Sequence, residues 1–213
     1  MSTTFFDHTN IRSAQLRSLT KDKIQILHEA SLEILDHTGL RFFDDEAIAL
    51  FRKAGAKVTD GNLVRIPPYL VERALQTVPK RITIYDRTGK RAMMLGGHRS
   101  YFGPGSDCMH IYDLDTGKHR KSVLEDVVNG VRLVDALPNL DFVMSMFLPS
   151  DVSEESYERR QTAVMLQEST KPIVFVGVEA NSTVYAIKMA EIVAGGADQL
   201  QRYPFIINYV NTV

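Results

Sequence analysis

The segment between Gly103 and Cys108 combines residue types that let a backbone approach a ligand closely. Glycine removes side-chain bulk and proline stiffens a turn, so Gly103-Pro104-Gly105-Ser106 could hold the chain against a bound molecule. Ser106 could then donate a hydrogen bond to a carboxylate or a bound water, with a tight turn into a hairpin as the alternative. A serine nucleophile of the hydrolase type is excluded, because that motif needs glycine two residues after the serine, where Cys108 stands.

Two further patterns in this segment resemble metal sites but are incomplete. Cys108 and His110 are spaced to share one face of a strand, yet two ligands do not make a zinc site. We therefore expect no metal there, and instead a buried thiol and an exposed histidine. Asp113 and Asp115 suggest a calcium loop, but Lys118 occupies the position that requires glycine, so the segment predicts a β-turn.

The composition excludes several classes of protein. The chain has 213 residues, of which 44% are apolar and 24% charged, as in ordinary folded proteins. Its 25 basic and 26 acidic side chains give a net charge of -1, which argues against general binding of nucleic acids or anionic membranes. The single cysteine favours a reducing compartment, and no apolar run approaches the roughly 20 residues of a membrane span. We therefore expect a cytoplasmic protein.

Residues 1–98 are predicted to form a helical cap region with a small antiparallel β element. Apolar residues at helical spacing after Thr20 predict an amphipathic helix that ends at Gly39. The other predicted elements are a helix from Asp44 or Asp45 to Gly55, a hairpin with a two-residue turn at Asp60-Gly61, a helix from Pro67-Pro68 to Gln76, and a strand over Arg81–Tyr85 before a turn near Thr88-Gly89.

Residues 99–213 show a different rhythm, in which short apolar strands alternate with helices. The predicted strands are Tyr101–Gly103, Asp141–Phe147, Pro172–Val178 and Phe205–Val210. The first predicted helix follows a capping box over Ser122–Glu125 and is terminated by Pro138. The second follows Ser153 and has first-turn charges at Glu154-Glu155. The third follows Ser182 and is terminated by Gly195-Gly196.

Strands joined by helices at a spacing of about 35 residues describe βαβ units, which build either a doubly wound sheet or a (β/α)8 barrel. The first strand-to-helix turn lacks the third glycine of a dinucleotide fingerprint, since Cys108 stands there, and no helix follows it directly. A hairpin over Met109–Tyr112 and Lys118–Arg120 is inserted instead, where barrels carry active-site loops. We therefore predict an α/β fold of the TIM (β/α)8 type.

The strand count predicts that only the first half of such a barrel is present. Eight units would occupy roughly 280 residues after position 99, whereas four strands are counted before Val213. Half a barrel exposes two edges and an uncovered inner face, which natural folds avoid. We expect residues 99–213 to be the first four β/α units of a longer chain.

Six segments, in this order and spacing, resemble the trimethylamine methyltransferase family. They are Glu29–Leu35 with Thr38-Gly39, Ala54–Val58, Val64–Pro68, Tyr101–Ser106, Asp113–Gly117 and Asp135–Asn139. The resemblance extends from about Leu19 to the end of the chain. It implies a (β/α)8 barrel of roughly twice this length, which agrees with the strand count.

The resemblance implies an enzyme that moves a methyl group from a methylated amine to the cobalt of a corrinoid. The corrinoid is carried by a separate small protein, so no cofactor is expected on this chain itself. The family includes members without pyrrolysine that act on quaternary amines such as glycine betaine. The pyrrolysine position would fall beyond Val213, so tertiary and quaternary amines both remain open as substrates. We expect the complete protein to form a homo-oligomer, and the 213-residue chain alone to be inactive.

A quaternary ammonium has no N–H donor, so its site must rely on aromatic faces and shape. Aromatic or polar residues at strand ends are therefore the candidates for substrate binding, although each aromatic could equally fill a core. The predicted substrate-binding residues are Tyr101, Phe102, Gly105, Ser106, Phe147, Asn208 and Tyr209. No catalytic residue and no metal ligand is predicted.

Two other functions remain open from the sequence. One is a protein of the same ancestry that binds a quaternary amine but transfers nothing. The other is a different barrel enzyme, such as an aldolase or a metal-dependent hydrolase, whose catalytic residues lie beyond Val213.

Overall fold

The structure, a computed structural model, describes residues 18–210 except His98 and Glu179. This part of the chain forms two compact units, one ending at Val78 and the other beginning at Pro79. The described residues have the mixed α/β composition that the sequence predicts, with small sheets and no closed barrel among them. The strands between residues 79 and 98 belong to the second compact unit, whereas the sequence analysis assigns them to the cap region. The predicted domain boundary after residue 98 stays a prediction.

The first unit consists of three helices around a small antiparallel sheet. Its elements are α1 (Lys21–Glu33), a π-helical turn (Ile34–Thr38), β1 (Leu40–Arg41), α2 (Asp45–Ala54), β2 (Lys57–Thr59), β3 (Leu63–Arg65) and α3 (Pro68–Thr77). The strands pair in the order β1-β3-β2. Buried Ala56, Val64 and Leu70 form its core.

Local sequence signals explain the helix boundaries in this unit. The Thr20 hydroxyl accepts a hydrogen bond from the Lys23 amide at 3.4 Å, and the Asp44 carboxylate accepts one from the Ala47 amide at 2.7 Å. Gly55 ends α2 in the left-handed conformation, with φ of 103°. These three predictions are confirmed. The hairpin is also confirmed, but Thr59 pairs with Leu63, so its loop has three residues rather than two.

The amphipathic character of α1 does not lead to burial among the described residues. None of its residues is buried, and Ile24 and Leu27 are each more than half exposed.

The second unit contains two hairpins, four helices and one pair of parallel strands. Its elements are β4 (Ile82–Tyr85), β5 (Arg91–Leu95), β6 (His110–Tyr112), β7 (His119–Lys121), α4 (Leu124–Ala136), α5 (Tyr157–Glu168), β8 (Ile173–Val176), α6 (Ala180–Ala194), α7 (Ala197–Arg202) and β9 (Ile206–Tyr209). The β4–β5 and β6–β7 pairs are antiparallel, and β8 and β9 are parallel, as the sequence predicts.

The predicted strand over Tyr101–Gly103 is wrong, because an irregular extended segment replaces it. The Asp141 amide donates to the Phe102 carbonyl at 2.6 Å, and Cys108 forms a parallel bridge with Phe147. These two contacts join residues 102–108 to residues 141–147 near both ends, but the amide-to-carbonyl offset is 39 residues at Phe102 and 40 at Cys108, where the Leu148 amide donates to the Cys108 carbonyl, so the register shifts by one residue between them. No ladder forms between these ends, and Asp107 has a positive φ of 63° that no regular strand accommodates.

The predicted strand over Asp141–Phe147 is likewise only partly regular. It is joined to β8 by a parallel bridge between Val143 and Ile173 and to the preceding segment through Phe147. Met146, with φ of 60°, interrupts it near its end. Four parallel segments therefore lie side by side in chain order, namely residues 102–108, residues 141–147, β8 and β9.

Helices cover one face of these four segments. The core between them contains Val127 and Val131 of α4, Met165 of α5, Ala190 of α6 and Ile173 of β8. The helix termini correct two predictions. Val123, not Ser122, is the residue before α4, since Asp126 accepts from the Val123 amide at 2.8 Å. Ser182 lies inside α6 rather than before it.

Ser122 has a different role from the one predicted. Its side chain is fully buried, and its hydroxyl lies within hydrogen-bonding distance of the Cys108 and Leu148 carbonyls, at 3.0 and 2.7 Å. Ser122 thereby ties the ends of the first two parallel segments together.

Candidate site at the carboxyl ends of the parallel segments

The register brings the ends of all four parallel segments to one edge. Cys108 is paired with Phe147. Val143 is paired with Ile173, and Ile173 with Ile206, so counting four residues further along each segment places Phe147 beside Gly177 and Gly177 beside Val210. We call this the carboxyl edge. In parallel α/β sheets, ligands bind beyond the carboxyl ends of the strands, so this edge is the candidate site.

Side chains of neighbouring residues along a strand point to opposite faces of the sheet, which separates two predicted site residues. Asn208 is paired with Phe175, whose ring is buried in the core beneath the helices. The Asn208 amide accordingly donates to the Thr183 hydroxyl of α6 at 3.2 Å. Tyr209 is paired with Val176 and points to the opposite face, with 47% of its surface exposed.

Phe147 lies on the helix-covered side as well. A Cβ atom added to Gly130 of α4 would lie 3.1 Å from the Phe147 ring, so the ring rests against that helix. Its carbonyl accepts a hydrogen bond from the Gln161 amide of α5 at 2.6 Å. Phe147 thus packs α4 and α5 onto the second segment.

Tyr101 and Phe102 lie at the other end of the segments. The Tyr101 hydroxyl accepts a hydrogen bond from the Met94 amide at 2.8 Å, which fastens it to β5. The Phe102 amide donates to the Asp141 carboxylate at 2.8 Å, while its ring is 66% exposed. Five residues separate Phe102 from Cys108, which corresponds to about 20 Å along an extended chain. The structure therefore does not bring Tyr101 and Phe102 together with Tyr209.

Gly105 and Ser106 lie close to the carboxyl edge. A Cβ atom at Gly105 would meet nothing within 4 Å, so space around this glycine is open. The Ser106 hydroxyl donates to the Asp107 carboxylate at 3.3 Å. Of the seven predicted residues, Gly105, Ser106, Phe147, Asn208 and Tyr209 lie near this edge, but on two different faces.

The Cys108 thiol is exposed, so its predicted burial is wrong. Cys108 lies at the end of its segment, where it pairs only through its backbone. His110 is exposed as predicted and stacks on His119 across the β6–β7 hairpin, with ring centroids 4.7 Å apart. In the part of the chain that the structure describes, no three His, Cys, Asp or Glu side chains are grouped as they would be around a metal ion.

The sequence analysis missed Glu158, the most unusual polar residue at this edge. Helix α5 begins at Tyr157, so its first-turn acid is Glu158 rather than Glu154 or Glu155. Glu158 is only 9% exposed. Its Oε1 accepts from the Val178 amide at 3.2 Å, just beyond β8, whereas its Oε2 is buried and has no hydrogen-bond partner among the described residues.

A second carboxylate, that of Asp107, lies close enough to Glu158 for the two negative charges to interact. Burial is the main cause that raises the pKa of Asp107, the negative charge of Glu158 adds to it, and the hydrogen bond from Ser106 opposes it. No cation offsets the two charges among the causes of this shift. This arrangement can bind a cation, because a positive charge here would relieve both the repulsion and the unpaired oxygen.

A groove opens between the β6–β7 hairpin and the loop after Phe147. Its volume is about 560 Å³, which is in the range of small-molecule sites. The lining includes Met109, His110, Lys121, Leu148, Glu154 and Tyr157.

A sequence signal for Glu158 does exist. Gln161 and Thr162 follow at helical spacing, and all three are buried, so a polar stripe runs down a helix whose other inward residues are apolar. A buried polar stripe at a helix N-terminus that follows a parallel strand is a pattern that could have identified this site.

Comparisons with known proteins agree with the resemblance noted from the motifs. The sequence model of the family described as trimethylamine methyltransferase (MTTB) matches residues 3–213. None of the helices within residues 18–210, as far as they are described, has the length and apolarity needed to cross a membrane.

Curated relatives include enzymes for tertiary and for quaternary amines. The chain is 34% identical over 191 residues to trimethylamine methyltransferase MttB of Desulfitobacterium hafniense, covering 89% of this chain and 38% of the relative. It is 28% identical over 196 residues to a glycine betaine methyltransferase of the same species, covering 92% and 40%. It is 30% identical over 162 residues to proline betaine:corrinoid methyltransferase of Eubacterium limosum, covering 72% and 31%. The chain spans about two fifths of the length of the first two relatives.

Proposed function

We propose, because this chain belongs to the trimethylamine methyltransferase family, that the protein transfers a methyl group from a methylated amine to the cobalt of a corrinoid protein. The match of the family model over residues 3–213 is the observation that carries this proposal. The activities of the relatives support the substrate class, since their names specify trimethylamine, glycine betaine and proline betaine. The name of the Eubacterium limosum relative supports a corrinoid as the methyl acceptor.

The fold we propose for the complete protein is a (β/α)8 barrel, of which the four parallel segments are the first four strands. Their parallel order along the chain, with helices on one face only, supports this proposal. The uncovered face, which carries Tyr209 and Val176, would then line the barrel interior. The greater length of the relatives, of which this chain spans about two fifths, is also in agreement.

The corrinoid, carried by a partner protein, would supply a cobalt nucleophile for the methyl carbon. The part of this chain in the reaction is to bind the amine, orient one methyl group toward the open side of the site and exclude water. The amine departs more readily if its nitrogen carries a positive charge before transfer. The carboxylates at the carboxyl edge suit that state, because they stabilise a cation rather than a neutral amine.

Among the substrate-binding residues predicted from the sequence, we propose Ser106 and Tyr209 as the first to test. Both lie near the carboxyl edge, Ser106 next to Asp107 and Tyr209 on the uncovered face. Gly105 would contribute the open space beside them.

The direct test is a methyl-transfer assay. The protein, in the longest form that its gene encodes, is mixed with a reduced corrinoid protein and with trimethylamine, glycine betaine or proline betaine in turn. We expect the absorbance change of methyl-cobalt formation with one of these amines. Absence of the change with all three would refute the proposed activity, and binding of an amine without transfer would instead identify a binding protein. A cytoplasmic location and a homo-oligomer stay predictions that fractionation and light scattering can test.

A further inference from the structure

We propose that the negative charges of Glu158 and Asp107 bind the positively charged nitrogen of the substrate. The identity of the ligand as a methylated ammonium rests on the proposed function, whereas the presence of a cation site rests on the burial of the Glu158 carboxylate and its unpartnered oxygen.

The Glu158 side chain is held in place at one oxygen and free at the other. Oε1 accepts from the Val178 amide at 3.2 Å, and the Tyr157 hydroxyl lies 3.4 Å from the same oxygen. One turn further along α5, Gln161 is fixed to the Phe147 carbonyl, and Thr162 donates to the Glu158 carbonyl at 2.8 Å. The carboxylate therefore has a fixed orientation, and its second oxygen is buried and carries negative charge without a hydrogen-bond partner among the described residues.

An unpaired carboxylate oxygen at this depth is costly for the folded protein. Buried polar atoms are hydrogen-bonded in the great majority of cases. An atom that is not hydrogen-bonded has given up its contacts with water without gaining a replacement, which destabilises the folded state. A location in the first turn of α5 lowers this cost in part, because the helix dipole favours negative charge there. The remaining cost is recovered when a cation binds.

Asp107 supplies the second negative charge from the neighbouring segment. Its backbone adopts φ of 63°, a conformation in which few non-glycine residues are found, between two residues that are tied down. The Cys108 amide on one side donates to the Met146 carbonyl at 3.0 Å, and Ser106 on the other donates to the Asp107 carboxylate. Backbone strain of this kind is typical of functional sites.

The chemistry of this pair fits a methylated ammonium better than a metal ion. Calcium takes six to eight oxygen ligands, and no cluster of three metal-ligating side chains exists among residues 18–210 as described. A methylated ammonium has its charge spread over methyl groups and needs only a nearby negative charge and an apolar or aromatic surface.

The test measures binding of tetramethylammonium to the protein, in the longest form that its gene encodes, by calorimetric titration without any corrinoid. Neopentyl alcohol, which has a similar shape and no charge, is the control ligand. The variants are Glu158→Gln, Asp107→Asn and, as a matched control, Glu155→Gln, which removes the same charge from an exposed position two residues before α5. Circular dichroism establishes that each variant is folded.

We expect tetramethylammonium, but not neopentyl alcohol, to bind the unmodified chain. Glu158→Gln should weaken this binding about tenfold or more and Asp107→Asn about threefold, whereas Glu155→Gln should change it less than twofold. The proposal is overturned if tetramethylammonium does not bind, if Glu158→Gln binds it normally, or if Glu155→Gln weakens it as much. Should Glu158→Gln fail to fold, Asp107→Asn decides, and unchanged binding by that variant overturns the proposal.

This experiment separates the cation site from the proposed activity. Charge-dependent binding at Glu158 without methyl transfer in the complete protein would retain the site and refute the activity. Methyl transfer that is unaffected by Glu158→Gln, in a protein whose tetramethylammonium binding is also unaffected, would retain the activity and refute the site.

Discussion

Two groups of carboxylates close together in the chain differ in whether a cation accompanies them. Asp113 and Asp126 share Arg120, whose guanidinium donates to the first at 2.9 Å and to the second at 2.7 and 2.9 Å. The charges of Asp107 and Glu158 also interact, but within the described part of the chain no arginine or lysine is paired with either carboxylate.

The pKa values reflect this difference. The hydrogen bonds from Arg120 and Thr116 lower the pKa of Asp113 to about 2, and that from Arg120 lowers the pKa of Asp126, whereas burial and the charge of Glu158 raise the pKa of Asp107. The arginine-centred group satisfies its own charges and is structural. The negative charge of Asp107 and Glu158 is not neutralised by a paired side chain, so it is available to a cationic ligand, as a binding site requires.

The largest effect is expected from breaking the paired group. Asp126→Asn removes the bidentate bond to Arg120 and weakens the bond from the Val123 amide that begins α4. Since hydrogen bonds to charged groups contribute about 1.5–3 kcal/mol each, the free energy of unfolding should fall by about 2–3 kcal/mol. Urea unfolding measures this, with the exposed Asp115→Asn as the control. Equal stability of the two variants would show that the group is not structural.

Acid should remove the contribution of the same group. Carboxylates whose pKa is lowered by folding stabilise the protein fully above their unfolded-state pKa of roughly 3.9, and lose that contribution as the pH falls toward 2. Asp113 and Asp126 both have lowered pKa values, so stability should decrease between about pH 5 and pH 2. Asp113→Asn should make this decrease shallower. A pH series of urea midpoints that is the same for both proteins would contradict the pairing.

The unpaired group should respond to neutralisation in the opposite direction. Glu158→Gln keeps an oxygen for the Val178 amide and removes a buried charge that has no counter-ion. We expect the free energy of unfolding at pH 7 to rise by about 1 kcal/mol, although tetramethylammonium binding is lost. Glu155→Gln, on the surface, should stay within about 0.5 kcal/mol of the unmodified chain. A destabilised but folded Glu158→Gln chain would mean that Glu158 is structural.

The features that the sequence predicts correctly are those set by local chemistry. Thr20 and Asp44 begin helices because their side chains accept from nearby amides, and Gly55 ends one because it tolerates a positive φ. The parallel pairing of β8 with β9 agrees with the prediction made from their continuous apolar runs.

The features that the sequence analysis misses depend on contacts between distant residues. The segment over residues 102–108 is held at its ends by Asp141 and Met146, and no pattern within it reveals Asp107 in a left-handed conformation. Glu158 becomes buried only because α5 packs between α4 and α6. Strand alternation was available from the sequence, and it could have separated Asn208 from Tyr209 at once.

The smallest expected change in stability is that of an Asp107 variant. Asp107 is useful for comparison with Asp113 and Asp126 because its pKa is raised, whereas theirs are lowered. A carboxyl group that binds its proton more tightly when folded makes the protein less stable as the pH rises from the unfolded-state pKa through the folded one. Asp107→Asn should therefore stabilise the chain at pH 7, and asparagine tolerates the left-handed backbone. Because Asp107 is partly exposed, solvent screening limits the gain to a few tenths of a kcal/mol.

The sign of this small effect matters more than its size. The stabilisation by Asp107→Asn should fade as the pH falls below about 4, where the aspartate itself is protonated in both states. Asp113→Asn should show the reverse, with a loss of stability at pH 7 that fades in acid. Thermal melts of both variants at pH 7 and pH 3, compared with the unmodified chain, give the two signs side by side. If both variants shift stability in the same direction at pH 7, the distinction between a paired structural group and an unpaired binding group is wrong.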